Sequence, residues 1–270
     1  MRRGTTLFAL VSLLLACLGL LACEGTSEED EKAAQVAEEW AWLQQAKTEL
    51  DGKRAELREL RESIANWDPD AEQPEPAAEG DEATEEAAPV TLEDLNAQAG
   101  ALQDEVYSLT DAFSARLVPF INDQQIGVES EPTEMQREAL RMKSDEDIVL
   151  ANEYIVKGGE YQRAIDIYSQ ALVFDPDNEK LLAAKAEAEE LRYMTEERLA
   201  GVKKGMTTDE VRALLGTPKS TNVREFDNGT VGWFYPKEEP RTAAAVFFQK
   251  KKEQLKVYKA DFNAIKADDS

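Results

Sequence analysis

Histidine is missing from this sequence of 270 residues, and cysteine occurs only twice, as Cys17 and Cys23. Without histidine the chain cannot form a Ser–His–Asp or Cys–His catalytic site, or a zinc site bound by imidazole. Any enzyme would depend on carboxylates, lysine or tyrosine for its acid–base chemistry. We therefore expect a protein that is not an enzyme, with no catalytic residues, no cofactor and no metal.

Positive charge is also scarce, because 31 Lys and Arg stand against 55 Asp and Glu, for a net charge of −24. Affinity for nucleic acid comes mostly from Lys and Arg that neutralise phosphates, so we expect no nucleic-acid partner. The imbalance is uneven along the chain. Residues 201–270 hold 13 basic and 10 acidic side chains, whereas residues 23–200 hold 16 basic and 45 acidic ones. This reversal predicts a domain boundary near residue 200.

One long apolar run stands at the start of the chain. Two arginines precede an apolar stretch over residues 7–22, which is short for a permanent membrane-spanning helix. We therefore predict a signal peptide over residues 1–22. Its end, Leu20-Leu21-Ala22-Cys23, resembles the bacterial lipobox, in which the cysteine is lipidated and becomes the mature N-terminus. A plain signal peptide with an incidental cysteine and an uncleaved anchor are the alternatives.

The lipobox resemblance implies that Cys23 is lipidated and that the mature chain is anchored to a membrane by acyl chains. Several acyl chains on one cysteine anchor stably, because each buried CH₂ contributes about 0.8 kcal/mol. The next residue is Glu24, which is more typical of outer-membrane than of inner-membrane lipoproteins. We therefore expect a location on the periplasmic side of the outer membrane of a Gram-negative envelope.

Two segments carry the heptad pattern of long helices. Residues 23–67 comprise the lipidated N-terminus and a charged helix from residue 28, and residues 91–118 form a second helix. Thr91 and Asp94 form a capping box at its start, and Pro119 predicts its end. The stripe of the first helix is Val36, Leu43, Leu50, Leu57 and Ile64. The stripe of the second is Leu92, Leu95, Ala99, Leu102, Val106, Leu109 and Phe113.

Residues 68–90, between these helices, are rich in Pro, Glu and Ala and lack periodicity, which predicts a disordered acidic linker. The simplest packing is an antiparallel hairpin of the two helices, with the linker looping out. Self-association as a coiled coil is the alternative. Trp40 and Trp42 flank the first stripe, where they either widen it or face a partner.

Residues 133–200 are predicted to form a helical repeat segment. The pattern in it matches the second half of a tetratricopeptide repeat (TPR): Gly159, Tyr161, Ala164, Tyr168, Ala171 and Pro176. The glycine suits a turn between helices, the alanines suit a close helix crossing, and the proline ends the second helix. One repeat cannot bury its own face. We expect one long helix over residues 178–201 to complete it, with Leu182 and Ala186 at the packing positions.

Residues 201–262 begin with a short helix. Thr207 and Glu210 form a capping box before it, and Gly216 with Pro218 ends it.

Two β-hairpins are predicted after this helix. Residues 221–226 and 230–235 are separated by Asp-Asn-Gly, a hairpin turn signal. Residues 242–249 and 254–262 flank a Lys-Lys-Lys-Glu segment and form the second pair. The residues after 200 therefore predict a separate α+β domain.

The same region resembles the SmpA/OmlA domain, whose best-known member is BamE. The resemblance is carried by Gly205-Met206-Thr207, Val211, Leu215-Gly216-Thr217-Pro218, Trp233-x-Tyr235 and the apolar strand at 243–248. It implies helices packed on one face of a small antiparallel sheet. It also implies a binding role, since BamE-like proteins support assembly of outer-membrane β-barrels through partner proteins and anionic lipid.

The candidate partner-binding residues of this domain are aromatic or basic. They are Trp233, Tyr235, Phe247, Lys250, Lys251 and Lys252. Alternate residues of a strand face opposite sides, so the aromatic side chains cannot all be buried against one helical layer. The lysines form either a solvated turn or a contact to anionic phospholipid headgroups.

These features together predict an α+β protein. Coiled-coil-like helices and a TPR-like repeat precede a small domain of helices packed on an antiparallel sheet. The expected role is that of a lipid-anchored scaffold or assembly factor that binds envelope proteins through its TPR-like and BamE-like surfaces. The alternative is a coordinator of the Tol–Pal or cell-wall type, and a carboxylate-dependent wall hydrolase is a third possibility.

Overall fold

The computed structural model describes residues 27–68, 90–124, 132–252 and 254–267. In these ranges a helical region is followed by a four-stranded antiparallel sheet, as predicted. The helices are α1 Glu28–Ala65, α2 Leu92–Asp123, α3 Glu134–Gly158, α4 Tyr161–Phe174, α5 Glu179–Arg192, α6 Glu196–Ala200 and α7 Thr208–Leu215. The strands are β1 Val223–Glu225, β2 Val231–Pro236, β3 Ala243–Lys251 and β4 Gln254–Ile265. The predicted signal peptide, Cys23 and most of the predicted linker lie outside the described residues.

Helices α1 and α2 form an antiparallel hairpin within one chain. Arg116, late in α2, binds Glu39 early in α1, whereas Arg61, late in α1, donates to Gln103 at 2.5 Å. The apolar stripes of the two helices therefore face each other. The buried residues between them include Leu43, Leu50, Leu57, Leu102, Val106 and Phe113.

Helix α3 packs against this hairpin through a partly buried charge pair. The guanidinium of Arg54 in α1 donates two hydrogen bonds, of 2.8 and 2.7 Å, to the carboxylate of Glu146 in α3. Arg54 also donates to Thr110 Oγ1 of α2 at 3.1 Å. One arginine thus connects three helices, and the described part of the N-terminal region is a packed bundle.

The expectation that Pro119 ends α2 is wrong, because the helix continues to Asp123 with the proline inside it. Proline cannot donate the backbone hydrogen bond to the preceding turn, but side-chain packing offsets that loss. Leu117 and Phe120 on either side are buried, and Phe120 stacks on Trp40 with ring centroids 5.7 Å apart. The same stacking places Trp40 at the edge of the bundle core.

Helices α3 and α4 form a hairpin around a glycine turn. Gly159 caps α3 in the left-handed conformation, with φ +63°, and Tyr168 of α4 is fully buried between the helices. Its hydroxyl donates to Asn152 Oδ1 of α3 at 2.8 Å. The turn and the filled groove are those that the sequence pattern predicts.

Helix α5 packs through a different face from the one expected. Leu182 is 47% exposed and Ala186 is also exposed, whereas their neighbours Leu181 and Ala188 are buried. Each residue turns a helix by about 100°, so a one-residue error in register selects another face. The expected packing positions at Leu182 and Ala186 are therefore wrong.

The long helix predicted over residues 178–201 is broken after Arg192. The Met194 N–H donates to the carbonyl of Pro236, at the end of β2, at 2.8 Å, and Thr195 then caps α6. Met194 and Leu199 are buried in the same core as the sheet. The break arises because this segment packs on the sheet and no longer extends the helical repeat.

The sheet has the strand order β1–β2–β3–β4, with every neighbouring pair antiparallel. Both predicted hairpins are confirmed. Gly229 has φ +74° in the first turn, and Lys252 has φ +45° in the second. Helices α6 and α7 pack on one face of the sheet. The core on that face contains Met194, Leu199, Val211, Leu215, Trp233, Tyr235, Ala244, Val246, Phe248 and Val257.

Candidate functional site

The TPR-like segment and the BamE-like segment meet at a contact surface that we call the junction. It joins residues 159–161, at the α3–α4 turn, to residues 216–219, after α7. The hydroxyl of Tyr161 accepts a hydrogen bond of 2.9 Å from the backbone N–H of Thr217. The residues that carry the two sequence resemblances therefore contact each other.

Backbone packing and charge complete the junction. Gly159 lies so close to Pro218 that a Cβ atom at position 159 would stand 2.6 Å from its carbonyl carbon and oxygen. The ammonium of Lys219 pairs with the carboxylate of Glu160 at 3.1 Å. Only glycine fits at position 159 without displacing the partner backbone.

Two buried tyrosines, Tyr161 of α4 and Tyr235 of β2, contact the junction residues after α7. The Tyr235 hydroxyl, from β2, approaches the carbonyl oxygen of Gly216 at 3.4 Å. Burial raises the pKa of Tyr161 and, more strongly, that of Tyr235. Both hydroxyls therefore stay neutral. Tyr235 is part of the buried core and is not available to a partner.

Tyr161→Phe is expected to destabilise the protein by about 1–3 kcal/mol, because the partly buried N–H of Thr217 loses its acceptor. Urea unfolding followed by circular dichroism measures the change. Tyr107→Phe, which removes only an exposed hydrogen bond from Lys157 in α3, serves as the control and is expected to cost much less. Equal stability of the Tyr161→Phe variant and the wild type would show that the hydrogen bond contributes nothing.

Trp233 and Tyr235, two of the predicted binding residues, lie in the core, and each is only 4% exposed. The ring of Trp233 packs against Phe248 at 4.6 Å between centroids. The guanidinium of Arg212 in α7 lies 4.8 Å from the same ring. Their burial under α7 removes both side chains from the candidate binding surface.

The opposite face of the sheet carries an aromatic cluster that we call the outer face. Phe247 of β3 is its centre, with ring centroids 6.4 Å from Phe226, 5.9 Å from Phe234 and 6.3 Å from Tyr258. Among the described residues, the hydrophobic cluster on this face is built from strand residues alone. Phe226 is 41% exposed, and Phe247 and Tyr258 are half-buried.

Cations border the outer face. The guanidinium of Arg224 lies 4.8 Å from the ring of Phe234, and the ammonium of Lys259 lies 5.6 Å from that of Phe247. Lys259 is also paired with Asp261 at 2.9 Å. Cation–π contacts of this kind hold positive charge over aromatic rings. The surface therefore presents one exposed and two half-buried aromatic rings next to positive charge.

The predicted lysines Lys250, Lys251 and Lys252 are exposed at the tip of the β3–β4 hairpin. Lys251 lies two same-face positions beyond Phe247 on β3, since alternate residues of a strand share a face. Of the predicted residues, Phe247 and Lys251 thus belong to the outer face. Cys23 lies outside the described residues.

Sequence reasoning missed the other members of the cluster, Phe226, Phe234 and Tyr258. A signal for Phe234 was present, because it stands between Trp233 and Tyr235 and must face the opposite side of β2. The sequence did not show which face of the sheet the helices cover. In the structure the helices cover the face that carries Trp233 and Tyr235.

Two general features of the described residues bear on the kind of site. None of the described helices combines the length and apolar character needed to cross a bilayer. No group of three or more Cys, Asp or Glu side chains within the described ranges is arranged to hold a metal ion.

Comparison with known proteins identifies the C-terminal part of the chain. Residues 192–264 match the family model of the outer membrane protein assembly factor BamE domain. No curated protein and no solved structure matches the chain. The match begins at residue 192, before the predicted residue 201, and so includes Met194 and Leu199, which pack in the sheet core. The C-terminal helices and sheet thus match this family, and we refer to them as the BamE domain.

Proposed function

We propose that this protein is a lipid-anchored scaffold on the periplasmic side of the outer membrane, where it binds envelope proteins during outer-membrane protein assembly. The match to the assembly-factor family supports the process and a role in binding. The lipobox-like sequence ending at Cys23 supports the anchor. The protein acts by holding partners together and not by catalysis.

The outer face of the BamE domain is the observation that carries this proposal. Aromatic side chains and arginine are enriched in protein interfaces and among the residues that contribute most to binding. Here Phe226, Phe247 and Tyr258 are accessible around one centre, with Arg224 and Lys259 beside them. We assign partner binding to this surface and not to the buried aromatic residues.

The helical region is proposed to act as a spacer and as a second, TPR-like binding surface. Lys157, two residues before the junction, donates to Tyr107 Oη of α2 at 3.1 Å, and Thr110 of α2 contacts Arg54 of α1. Arg54 lies about 39 Å along α1 from Glu28, at about 1.5 Å per residue. A lipid on Cys23 would thus be separated from the BamE domain by most of a long helix.

A complementation experiment tests the proposed function. Deleting the gene is expected to lower the amount of folded β-barrel protein in the outer membrane, and the wild-type chain is expected to restore it. The double variant Phe226→Glu, Phe247→Glu is expected not to restore it, because it places two charges in the aromatic cluster. Val156→Glu, at an exposed apolar residue of α3, is the matched control and is expected to complement.

Immunoblots must show equal amounts of each variant in the membrane fraction. Normal β-barrel levels after deletion, combined with defective division or wall integrity, would contradict the assembly role and favour the Tol–Pal type of coordinator. Full complementation by the double variant would show that partners do not use the outer face.

A further inference from the structure

A second accessible apolar surface lies in the helical region, away from the BamE domain. A groove of about 490 Å³ runs between the end of α2, the middle of α3 and α4. Its apolar walls are Val118, Ile121, Leu140, Leu150, Ile167, Ala171 and Phe174. Within the described ranges, Leu150 is 46% exposed and Phe174 is 62% exposed, so these large apolar side chains are accessible there.

The α3 wall of the groove has the length and spacing of a helix-binding site. It extends from Leu140 to Leu150, a distance of about 15 Å at about 1.5 Å per residue. An amphipathic helix that lies in such a groove inserts apolar side chains at every third or fourth residue. The groove offers a wall of this kind on α3 and a second one on α4, from Ile167 to Phe174.

The charge around the groove is acidic. Inside it, Lys143 is neutralised by its ion pair with Asp147, and on α4 the guanidinium of Arg163 lies over the ring of Tyr154. Four carboxylates stand next to lining residues in the sequence or in the turn after α4, against one further cation, Arg141, next to Leu140. They are Asp123, Asp166, Asp175 and Asp177.

We propose that this groove binds an amphipathic helix of a partner protein whose apolar face is flanked by Lys and Arg. The acidic border attracts a basic partner. It repels a second copy of this chain, since residues 23–200 hold 45 acidic against 16 basic side chains. The inference rests on the proposed scaffold role, and it adds the chemistry of one partner.

Peptide binding to the purified chain without its signal peptide tests the inference. Two labelled helical peptides have the same Leu- and Phe-rich face. The polar face of the basic peptide carries Lys and Arg, and that of the acidic peptide carries Glu. Fluorescence anisotropy is expected to show at least about tenfold tighter binding of the basic peptide, with an affinity that falls as salt rises. Leu150→Ser with Phe174→Ser is expected to weaken this binding by about tenfold or more, through lost apolar contact.

Val156→Ser, on the same helix but outside the groove, is the control and is expected to leave the affinity unchanged. Thermal unfolding confirms that each variant is folded. Equal binding of the two peptides, or no change in the groove variant, would overturn the proposal. If the wild-type chain dimerised and the groove variant did not, the groove would bind a second copy of the chain. That result would also overturn the proposal. Because the assay contains no cells, its failure is distinguishable from failure of the β-barrel complementation.

Discussion

Gly159→Ala is expected to lower the free energy of unfolding by about 2–5 kcal/mol, the sum of a strained left-handed residue and an overpacked contact. Gly159 has φ +63°, which L-residues rarely adopt, and a Cβ atom there would stand 2.6 Å from backbone atoms of Pro218 and Lys219. Backbone atoms cannot move aside as the end of a flexible side chain can. The substitution therefore forces the BamE domain away from the α3–α4 turn.

A matched glycine separates the two contributions. Gly229 has φ +74° in the β1–β2 turn, and a Cβ atom there would meet nothing within 4 Å. Gly229→Ala is therefore expected to cost only the backbone strain, about 1–2 kcal/mol. Urea unfolding and limited proteolysis between residues 192 and 219 measure the difference. Equal costs for the two variants would show that the junction is not tightly packed.

Phe113→Ala is expected to destabilise the helical bundle by about 3–5 kcal/mol, the usual cost of removing a buried phenylalanine. Phe113 is fully buried between α1 and α2, beside Leu43 and Leu50. Leu117, one turn further along α2, is also buried, so the cavity forms inside the packed core and not at its edge. Circular dichroism during thermal unfolding reports the loss of helix.

The control for this prediction is Leu92→Ala, in the same helix but 40% exposed. It is expected to change stability by much less than the Phe113 variant, since it removes little buried surface. If the Phe113 variant were as stable as the control, the stripe in α2 would not pack against α1. Self-association of the helices would then become the better account of the heptads.

Patterns along the sequence predicted the elements of this fold but not all of their ends. The capping boxes at Thr91 and Thr207 are present as predicted, because capping depends on residues only three positions apart. The prediction that Pro119 ends α2 was wrong, because the helix is held together past the proline by the stacking of Phe120 on Trp40. Trp40 is about 80 positions away in the chain. The break after Arg192 has the same origin, in a hydrogen bond from Met194 to distant Pro236.

The candidate site was predictable as a region but only partly by residue. Strand periodicity shows that Trp233 and Phe234 face opposite sides of the sheet, and it does not show which side α7 covers. The junction was even harder to predict from the sequence. Gly159 and Pro218 each carry a local meaning, as a turn and as a helix stop, and nothing in the sequence indicates that they touch.

The most direct test of the central claim is photocrosslinking in living cells from position 226, on the outer face of the BamE domain. A benzophenone amino acid replaces the exposed Phe226, and a second chain carries it at the exposed Val156 of α3 as the control. We predict that position 226 yields a crosslink to a protein of the outer-membrane β-barrel assembly machinery, identified by mass spectrometry, and that position 156 does not. The absence of any protein crosslink from position 226, with the chain present in the membrane fraction, would contradict the account.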